Sequence, residues 1–433
     1  MSQKIITALD VGSSKIATVI VALDNNSSQP VVIGDYSCQS RGVKRGVIVN
    51  IEEATDAISE SIYAAERMAG VRVSDVIVTI NGEHITSINN KGVVAVTGDE
   101  ITNEDIMRVI ENARTLTLPE NLTPIHIIPR EFIVDKQTGI KYPLEMSGSR
   151  LEVETHIITA PNSSLLNLKK CVESAGFNVF DVVFTGWASS LAVLTETEKE
   201  LGITLMDIGA GTTSISIFQD NAIVFSGSVP LGGFNITSDL AIGLNLSIDD
   251  AEKVKLNLDK LLGDKNKAVA AKDNTPALLR KDVPKEDSDT DKVDLGVVGI
   301  EDHEPVEKDF LQKIVTARME EIFKLSADLV AKSGFNVVMP AGIVLTGGTA
   351  NLYNISKLTK NYYNAPVRIG YPSGLSGMVE EINYPQFSAV QGLVKHGIDN
   401  ISEIGGVSSS MNVQQKFSGV MDKVMSFFKQ LKP

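Results

Sequence analysis

Two bursts of hydrophobic residues in this chain share one layout. In the first, IITALDVGSSKIATVIVAL, an apolar run reaches Asp10, turns at Gly12 through Ser13 and Ser14, and resumes after Lys15 as an alternating run. In the second, LMDIGAGTTSISIF, the apolar run stops at Asp207, turns through Gly209, Ala210 and Gly211, passes Thr212 and Thr213, and resumes at Ile215 and Ile217. Strand, turn and strand with a period of two describe a β-hairpin. The recurrence of one hairpin about two hundred residues apart predicts two similar α/β halves that face each other across a cleft.

Helical spacing fills the intervals. Ala54, Ile58, Ile62, Ala65 and Met68 mark a helix that Gly70 ends, and TNEDIMRVIENARTL is a helix with Thr102 as cap and Asp105 in a capping-box position. From about His84 the rhythm shifts to strand-like segments, HITSINNKGVVAVTG, IHIIPREFIVD and LEVETHIITAP, which predict a small inserted domain. A helix from Ser163 to Ser174 returns the chain to its main body, and Ser247 caps another at SIDDAEKVKLNL. Gly263 to Asp309 loses periodicity and becomes rich in Asp, Lys, Glu and Pro, which predicts an exposed, flexible insertion. Ile314, Ala317, Ile322, Leu325 and Leu329 then mark a long helix, and GIVLTGGTANL is a strand that runs into Gly347-Gly348. After a polar Ser/Gly-rich linker, Phe417, Val420, Met421, Val424, Met425, Phe428 and Leu431 line one face of a final helix.

Composition narrows the function. The 433 residues, 43% apolar and 22% charged, are those of a globular protein of several domains. A net charge of −14 argues against nucleic acid as a partner, because phosphate contacts need clustered Lys and Arg. Two cysteines supply no disulfide framework, no run is apolar and long enough to span a membrane, and the N-terminus has no export signal, so a cytoplasmic location is expected. The final helix departs from this acidic balance: Lys416, Lys423, Lys429 and Lys432 face a single acid, Asp422. A Lys-flanked apolar stripe with Phe427-Phe428, detached from the body by a linker, has the composition of an interfacial membrane helix.

The glycine turns carry the candidate chemistry. Glycine lets backbone N–H groups approach an anion, and adjacent hydroxyls and carboxylates can serve phosphate oxygens and hydrated Mg²⁺. Gly232-Gly233 precedes a helix, where N–H groups can meet phosphate or sugar. Asp10 to Lys15, Asp207 to Thr213, Gly232-Gly233 and Thr346 to Thr349 stand in the order of the phosphate and adenosine motifs of the actin, Hsp70 and sugar-kinase superfamily, which the chain resembles. More narrowly, RGVKRGVIVNIEEA, AAERMAG, INGEHI, LMDIGAGTT, PLGGFNIT, AEKVK, TARMEEIF and IVLTGGTA resemble the FtsA family of actin-like bacterial cell-division proteins over essentially the whole length.

That resemblance implies a duplicated actin-like (RNase H-like) α/β fold, two halves around a nucleotide cleft, with an inserted SHS2-like subdomain 1C and a C-terminal amphipathic helix. The implied division is 1–83 and 163–198 for subdomain 1A, 84–162 for 1C, and 199–400 for 2A and 2B. The last of these carries the insertion at about 263–309 and returns to 1A at about 385–400, before a linker at 401–415 and a membrane helix at 416–433. ATP and Mg²⁺ are the implied cofactors. Asp10 and Asp207 would hold Mg²⁺ through its waters, while Gly12, Ser13, Ser14, Lys15, Gly209, Ala210, Gly211, Thr212 and Thr213 would hold phosphates. Glu252 and Lys255 would lie near the ribose and adenine, Gly347 and Gly348 would let the adenosine pack against backbone, and Gly232, Gly233, Asn235 and Thr349 would complete the nucleotide site. Thr185 stands where related bacterial actins carry an acid, so hydrolysis is expected to be slow. The implied partners are the C-terminal tail of the tubulin-like protein FtsZ, met by Arg318 and Glu321, other copies of this chain in filaments, later division proteins, and an anionic membrane surface at the cytoplasmic face of the division site. Lys423, Lys429 and the apolar stripe would touch that surface. The alternatives are a PilM-type adaptor of type IV pilus assembly and a small-molecule kinase of the same superfamily.

Overall fold

The computed structural model describes residues 4–23, 29–115, 118–263, 291–301, 303–334 and 340–400. The predicted linker and terminal helix lie outside the described residues. One five-strand pattern occurs twice. In the first sheet the order is Val31–Gln39, Lys15–Leu23, Lys4–Val11, Asp75–Ile80 and Asn178–Phe184. In the second it is Ala222–Val229, Thr213–Gln219, Ile203–Ile208, Gly342–Thr346 and Val367–Ile369. Within each, the first three strands are antiparallel and the last two join in parallel. The two predicted hairpins therefore occupy equivalent central places.

Central strands are buried on both faces, which explains why they read as continuous apolar runs. Leu9, Val11 and Ile16 pack beneath the helix Ile51–Ala69, whereas Ala8, Val19 and Val21 pack beneath the helix Ser388–Asp399 on the other face. The earlier helix starts at Asn50, whose side chain accepts from the N–H groups of Glu52 and Glu53, and ends at Gly70 with φ 67°. Its buried stripe includes Ala54, Ile58, Ile62 and Ala65, but Met68, predicted on that stripe, is half exposed at the helix end. A short sixth strand, Ser376–Gly377, pairs in parallel with Val31 and Val32, so the chain rejoins the first sheet before the predicted 385.

The insertion after Gly82 forms its own sheet, in the order Thr86–Ala95, Arg150–Pro161, Leu122–Val134 and Gln137–Ile140. The helix Asn103–Arg114 covers it, opened by the predicted capping box of Thr102 and Asp105. Ile106, Val109, Phe132, Leu151 and Val153 make a separate core, as an independent subdomain requires.

Two predicted features differ. The long helix Lys308–Lys332 buries Leu311, Val315, Met319, Ile322 and Phe323, while Ala317 and Leu325 are exposed. The helix lies between two apolar surfaces: Leu329 serves a small cluster with Ile215 and Phe225, and Ile314 packs toward Gly243. Two stripes of similar spacing coexist, and the sequence offers no means of ranking them. The acidic insertion is also not all exposed. Leu295, Ile300 and Val306 are buried in the core of the second half, and Lys292–Val293 pairs with Val306–Glu307. Residues 264–290 lie outside the described residues.

The inserted subdomain is tied to the half from which it does not emerge. His156 is buried, with Nδ1 at 2.7 Å from Asn89 Oδ1 and Nε2 at 2.9 Å from Ser226 Oγ. Ser87 Oγ donates to the Ser226 carbonyl and accepts from the Ser226 N–H, and Asn89 Nδ2 donates to the Val224 carbonyl. Lys141 Nζ reaches the Asp220 carbonyl. Burial, with Arg130 nearby, pushes the His156 imidazole down to about 3. An imidazole held neutral in the fold but protonated below about 6.5 when unfolded contributes stability at higher pH and loses it as pH falls. Between pH 6.5 and 5, urea unfolding should therefore show a loss of about 2 kcal/mol that His156→Gln removes; an equal pH dependence in that variant would contradict the assignment.

Candidate functional site

Each hairpin presents the same turn. Asp10 and Asp207 are the penultimate residues of their strands, paired with Ala17 and Ser214. Two residues later the Gly12 N–H donates to the Lys15 carbonyl, and the Gly209 N–H donates to the Thr212 carbonyl. Lys15 and Thr212 are thus equivalent residues that close the two turns. Both line a cleft of about 650 Å³.

Around it stand Asp10, Gly12, Ser13, Ser14, Lys15, Asp207, Gly209, Ala210, Gly211, Thr212, Gly233, Glu252, Lys255, Gly347, Gly348 and Thr349. Thr213, Gly232 and Asn235 support the wall from behind. Thr213 Oγ1 donates to the Leu231 carbonyl, and Asn235 Oδ1 accepts the Gly232 N–H. The N–H groups predicted to meet phosphate or sugar at Gly232-Gly233 are engaged within the protein: Gly233 and Phe234 donate to the Gly209 and Ala210 carbonyls at 2.9 and 2.8 Å. This helix start braces the second hairpin. A Cβ at Gly232 would lie 2.5 Å from the Gly209 carbonyl oxygen, so the brace requires glycine there. Gly347, with φ 83°, approaches Asp207 so closely that a Cβ would meet its Oδ1 at 2.4 Å.

The electrostatics centre on Lys15. Its Nζ is buried without a hydrogen-bond acceptor and sits 3.1 Å from the centroid of the Phe387 ring. Burial lowers its ammonium to about 8 against the opposing pull of Asp10 and Asp207. Burial also raises both carboxyls: Asp207 goes to about 7 with reinforcement from Asp10, although a hydrogen bond from Ser189 and the Lys15 charge oppose the shift. Asp10 is raised in the same direction while Thr79 Oγ1 donates to it at 2.7 Å. A dehydrated ammonium with no acceptor, facing two carboxylates with room between, is chemically suited to an anion paired with a hydrated cation. Among the described residues no group of three His, Cys, Asp or Glu could hold a metal directly.

At the far end, Lys255 Nζ donates to Glu252, to Thr237 Oγ1 and to the Gly233 carbonyl. Leu256, Leu258, Leu352 and Tyr353 add an apolar wall that the sequence pattern did not reveal. Thr185 lines the cleft as expected, with its hydroxyl donating to the Ile80 carbonyl. The carboxylates lining it, among the described residues, are those of Asp10, Asp207, Glu252 and Asp259. Sequence reasoning also missed Thr79, Asn81, Ser189 and Phe387; of these only Asn81, directly before Gly82, lay beside a turn signal.

Along the helix that starts at Gly233, the Arg318 guanidinium binds both carboxylate oxygens of Asp239 and also Glu321. This clamp joins the long helix to the helix Gly233–Leu244, on which Phe234 and Ile242 are exposed.

Because burial holds Asp207 above its unfolded value, ionising it costs stability increasingly as pH rises from about 4 through 7. At pH 8, Asp207→Asn should stabilise the unliganded protein against urea by on the order of 1–4 kcal/mol. A destabilised variant would mean that Asp207 is structural.

A family model described as "SHS2 domain inserted in FTSA" matches residues 82–159, and one described as "Cell division protein FtsA" matches 204–392. Curated relatives of that second description align along almost the full chain. The Borreliella burgdorferi protein is 37% identical over 96% of this chain and 97% of its own. The Pseudomonas aeruginosa protein is 34% identical over 95% and 93%, and that of Escherichia coli K12 is 30% identical over 91% and 90%. Among solved structures, the "PilM-PilN type IV pilus biogenesis complex" aligns with TM-score 0.58 and 15% identity over 91% of this chain and 98% of the other, a likeness of fold. Among the described residues no helix is long and apolar enough to cross a membrane. With the duplicated sheets, the inserted subdomain and the paired hairpins in place, the chain belongs to the FtsA family of cell division proteins.

Proposed function

We propose that the protein is an ATP-dependent, polymerising tether that holds the FtsZ tail at the cytoplasmic face of the membrane during septum formation and recruits later division proteins. The observation that carries the nucleotide part is the buried Lys15 ammonium, which has no acceptor and faces Asp10 and Asp207 between two glycine turns. Lys15 and the turns at Ser13, Ser14, Ala210, Gly211 and Thr212 would bind the phosphates. Asp10 and Asp207 would orient Mg²⁺ through its water shell, and Glu252, Lys255 and Gly347-Gly348 would frame the nucleoside. When bound, Mg²⁺ supplies charge neutralisation on the phosphate oxygens. Thr185 places no base over that end of the cleft, and its hydroxyl is directed to Ile80. Turnover should fall far below the roughly 10 s⁻¹ typical of enzymes, so that ATP acts mainly as a ligand holding the halves together.

For the FtsZ tail, the proposal rests on the Arg318–Asp239–Glu321 cluster and on Phe234 and Ile242, exposed on the same helix as Asp239, charged and apolar groups that an amphipathic peptide could meet. For the membrane, it rests on the sequence of residues 416–433. Each buried large apolar side chain contributes about 1.5–3 kcal/mol, and each Lys about 1 kcal/mol near an anionic leaflet. Ordering the helix offsets much of this, so one copy binds weakly and a filament binds through many copies.

Electron microscopy of the protein with ATP on an anionic lipid monolayer should show filaments, and removal of Phe417 to Pro433 should abolish both the filaments and cosedimentation with liposomes. Unchanged pelleting of the truncated chain would overturn the membrane role, and steady turnover near 10 s⁻¹ would overturn the ligand role of ATP.

A further inference from the structure

We infer that Asn81 is a positioning residue that fixes Thr212 as a hydroxyl donor to an anion in the cleft and thereby couples occupancy of the phosphate end to the seating of the inserted subdomain. The inference rests on the nucleotide reading above. Asn81 follows the strand Asp75–Ile80 directly and stands where the chain leaves the first half for the inserted subdomain. Its side chain crosses to the opposite hairpin.

The direction of each hydrogen bond follows from what the donors can do. The Gly82 N–H, which can only donate, meets Asn81 Oδ1 at 2.8 Å, and Ser214 Oγ donates to the same oxygen at 3.0 Å. That assignment leaves Nδ2 facing Thr212, to whose Oγ1 it donates at 2.9 Å. An amide N–H has no lone pair to offer, so the Thr212 hydroxyl must accept here and its own proton is free to point elsewhere. Thr212 lines the cleft at the place equivalent to Lys15 in the facing turn. The two equivalent residues therefore present an ammonium and a hydroxyl donor to the cleft, one from each turn.

The same amide ties the cleft to the inserted subdomain. Gly82 N–H, held by Asn81 Oδ1, belongs to the segment that feeds the strand Thr86–Ala95, and that strand is fixed to Ala222–Val229 through Ser87, Asn89 and Ser226. Ala222–Val229 is in turn the antiparallel neighbour of Thr213–Gln219, the strand that leaves the Thr212 turn. Asn81 thus closes a loop of bonded elements running from the cleft through the second sheet to the inserted subdomain and back. An anion that draws on Thr212 tightens one link of that loop.

The test uses the full chain with ATP and ADP. In the wild type, ATP should slow amide exchange at Ser13 to Lys15 and also at Thr86–Ala95. Asn81→Ala should weaken ATP binding about 10-fold, the range for one hydrogen bond to a charged group, and abolish the response of Thr86–Ala95. Thr212→Val should give the same loss, the double variant should be no worse than either single one, and Thr212→Ser should restore binding. If Asn81→Ala proves unfolded, the Thr212→Val and Thr212→Ser pair decides the matter by the same readouts. Additive losses, a Thr212→Ser variant as weak as Thr212→Val, or a response at Thr86–Ala95 that survives in Asn81→Ala would overturn the inference. A wild type that binds ATP, protects Ser13 to Lys15 and leaves Thr86–Ala95 unaffected would overturn it while the nucleotide reading stands. A wild type with no ATP binding would overturn both.

Discussion

The structure depends on keeping one ammonium out of water. Lys15 is buried between Asp10 and Asp207, capped by the Phe387 ring, and given no acceptor. Removing a cation and two carboxylates from solvent is unfavourable unless they pair well, and here the cleft leaves space between them. The shifts follow from that one fact: the ammonium is lowered, both carboxyls are raised, and each charge partly compensates the others. Such a centre persists only if rigid elements hold it in place. Two doubly covered sheets do so, each presenting its aspartate at the penultimate position of a central strand.

The surrounding architecture can be understood as support for this centre. Gly232 and Gly347 bring neighbouring backbone against the second hairpin, where a Cβ would not fit. Ser189 and Thr79 each donate to one of the carboxylates. The inserted subdomain emerges from the first half yet is bolted to the second through Ser87, Asn89 and His156, so relative movement of the halves is necessarily felt there. Asn81, which lines the cleft, stands directly before that subdomain.

Much of the centre was legible in the sequence because its chemistry is local. A hairpin with Asp at the strand end, glycine in the turn and hydroxyls after it can be read within ten residues, and its repetition identified the facing turns. Groups contributed from a distance were not legible. Thr79, Ser189 and Phe387 sit in strands or helices whose local pattern is that of ordinary core, and only the fold carries them to the cleft. The protein acceptors of the N–H groups at Gly232-Gly233 were not legible for a related reason: a helix start can serve a ligand or a neighbouring carbonyl, and the sequence does not show the position of Gly209 and Ala210. In the long helix, two apolar stripes of similar spacing left the buried face ambiguous until its neighbours on both sides were known.

If Lys15 is held in readiness for an anion between the two hairpins, its charge must carry a large part of the affinity for ATP. Titration calorimetry of ATP with Mg²⁺ against the wild type and Lys15→Met, which keeps most of the side chain's length and removes its charge, measures that contribution. Affinity should fall by at least about 30-fold, as expected for removal of one partner from a buried charge pair. Affinities that agree within about threefold, well under one buried charge contact, would contradict it.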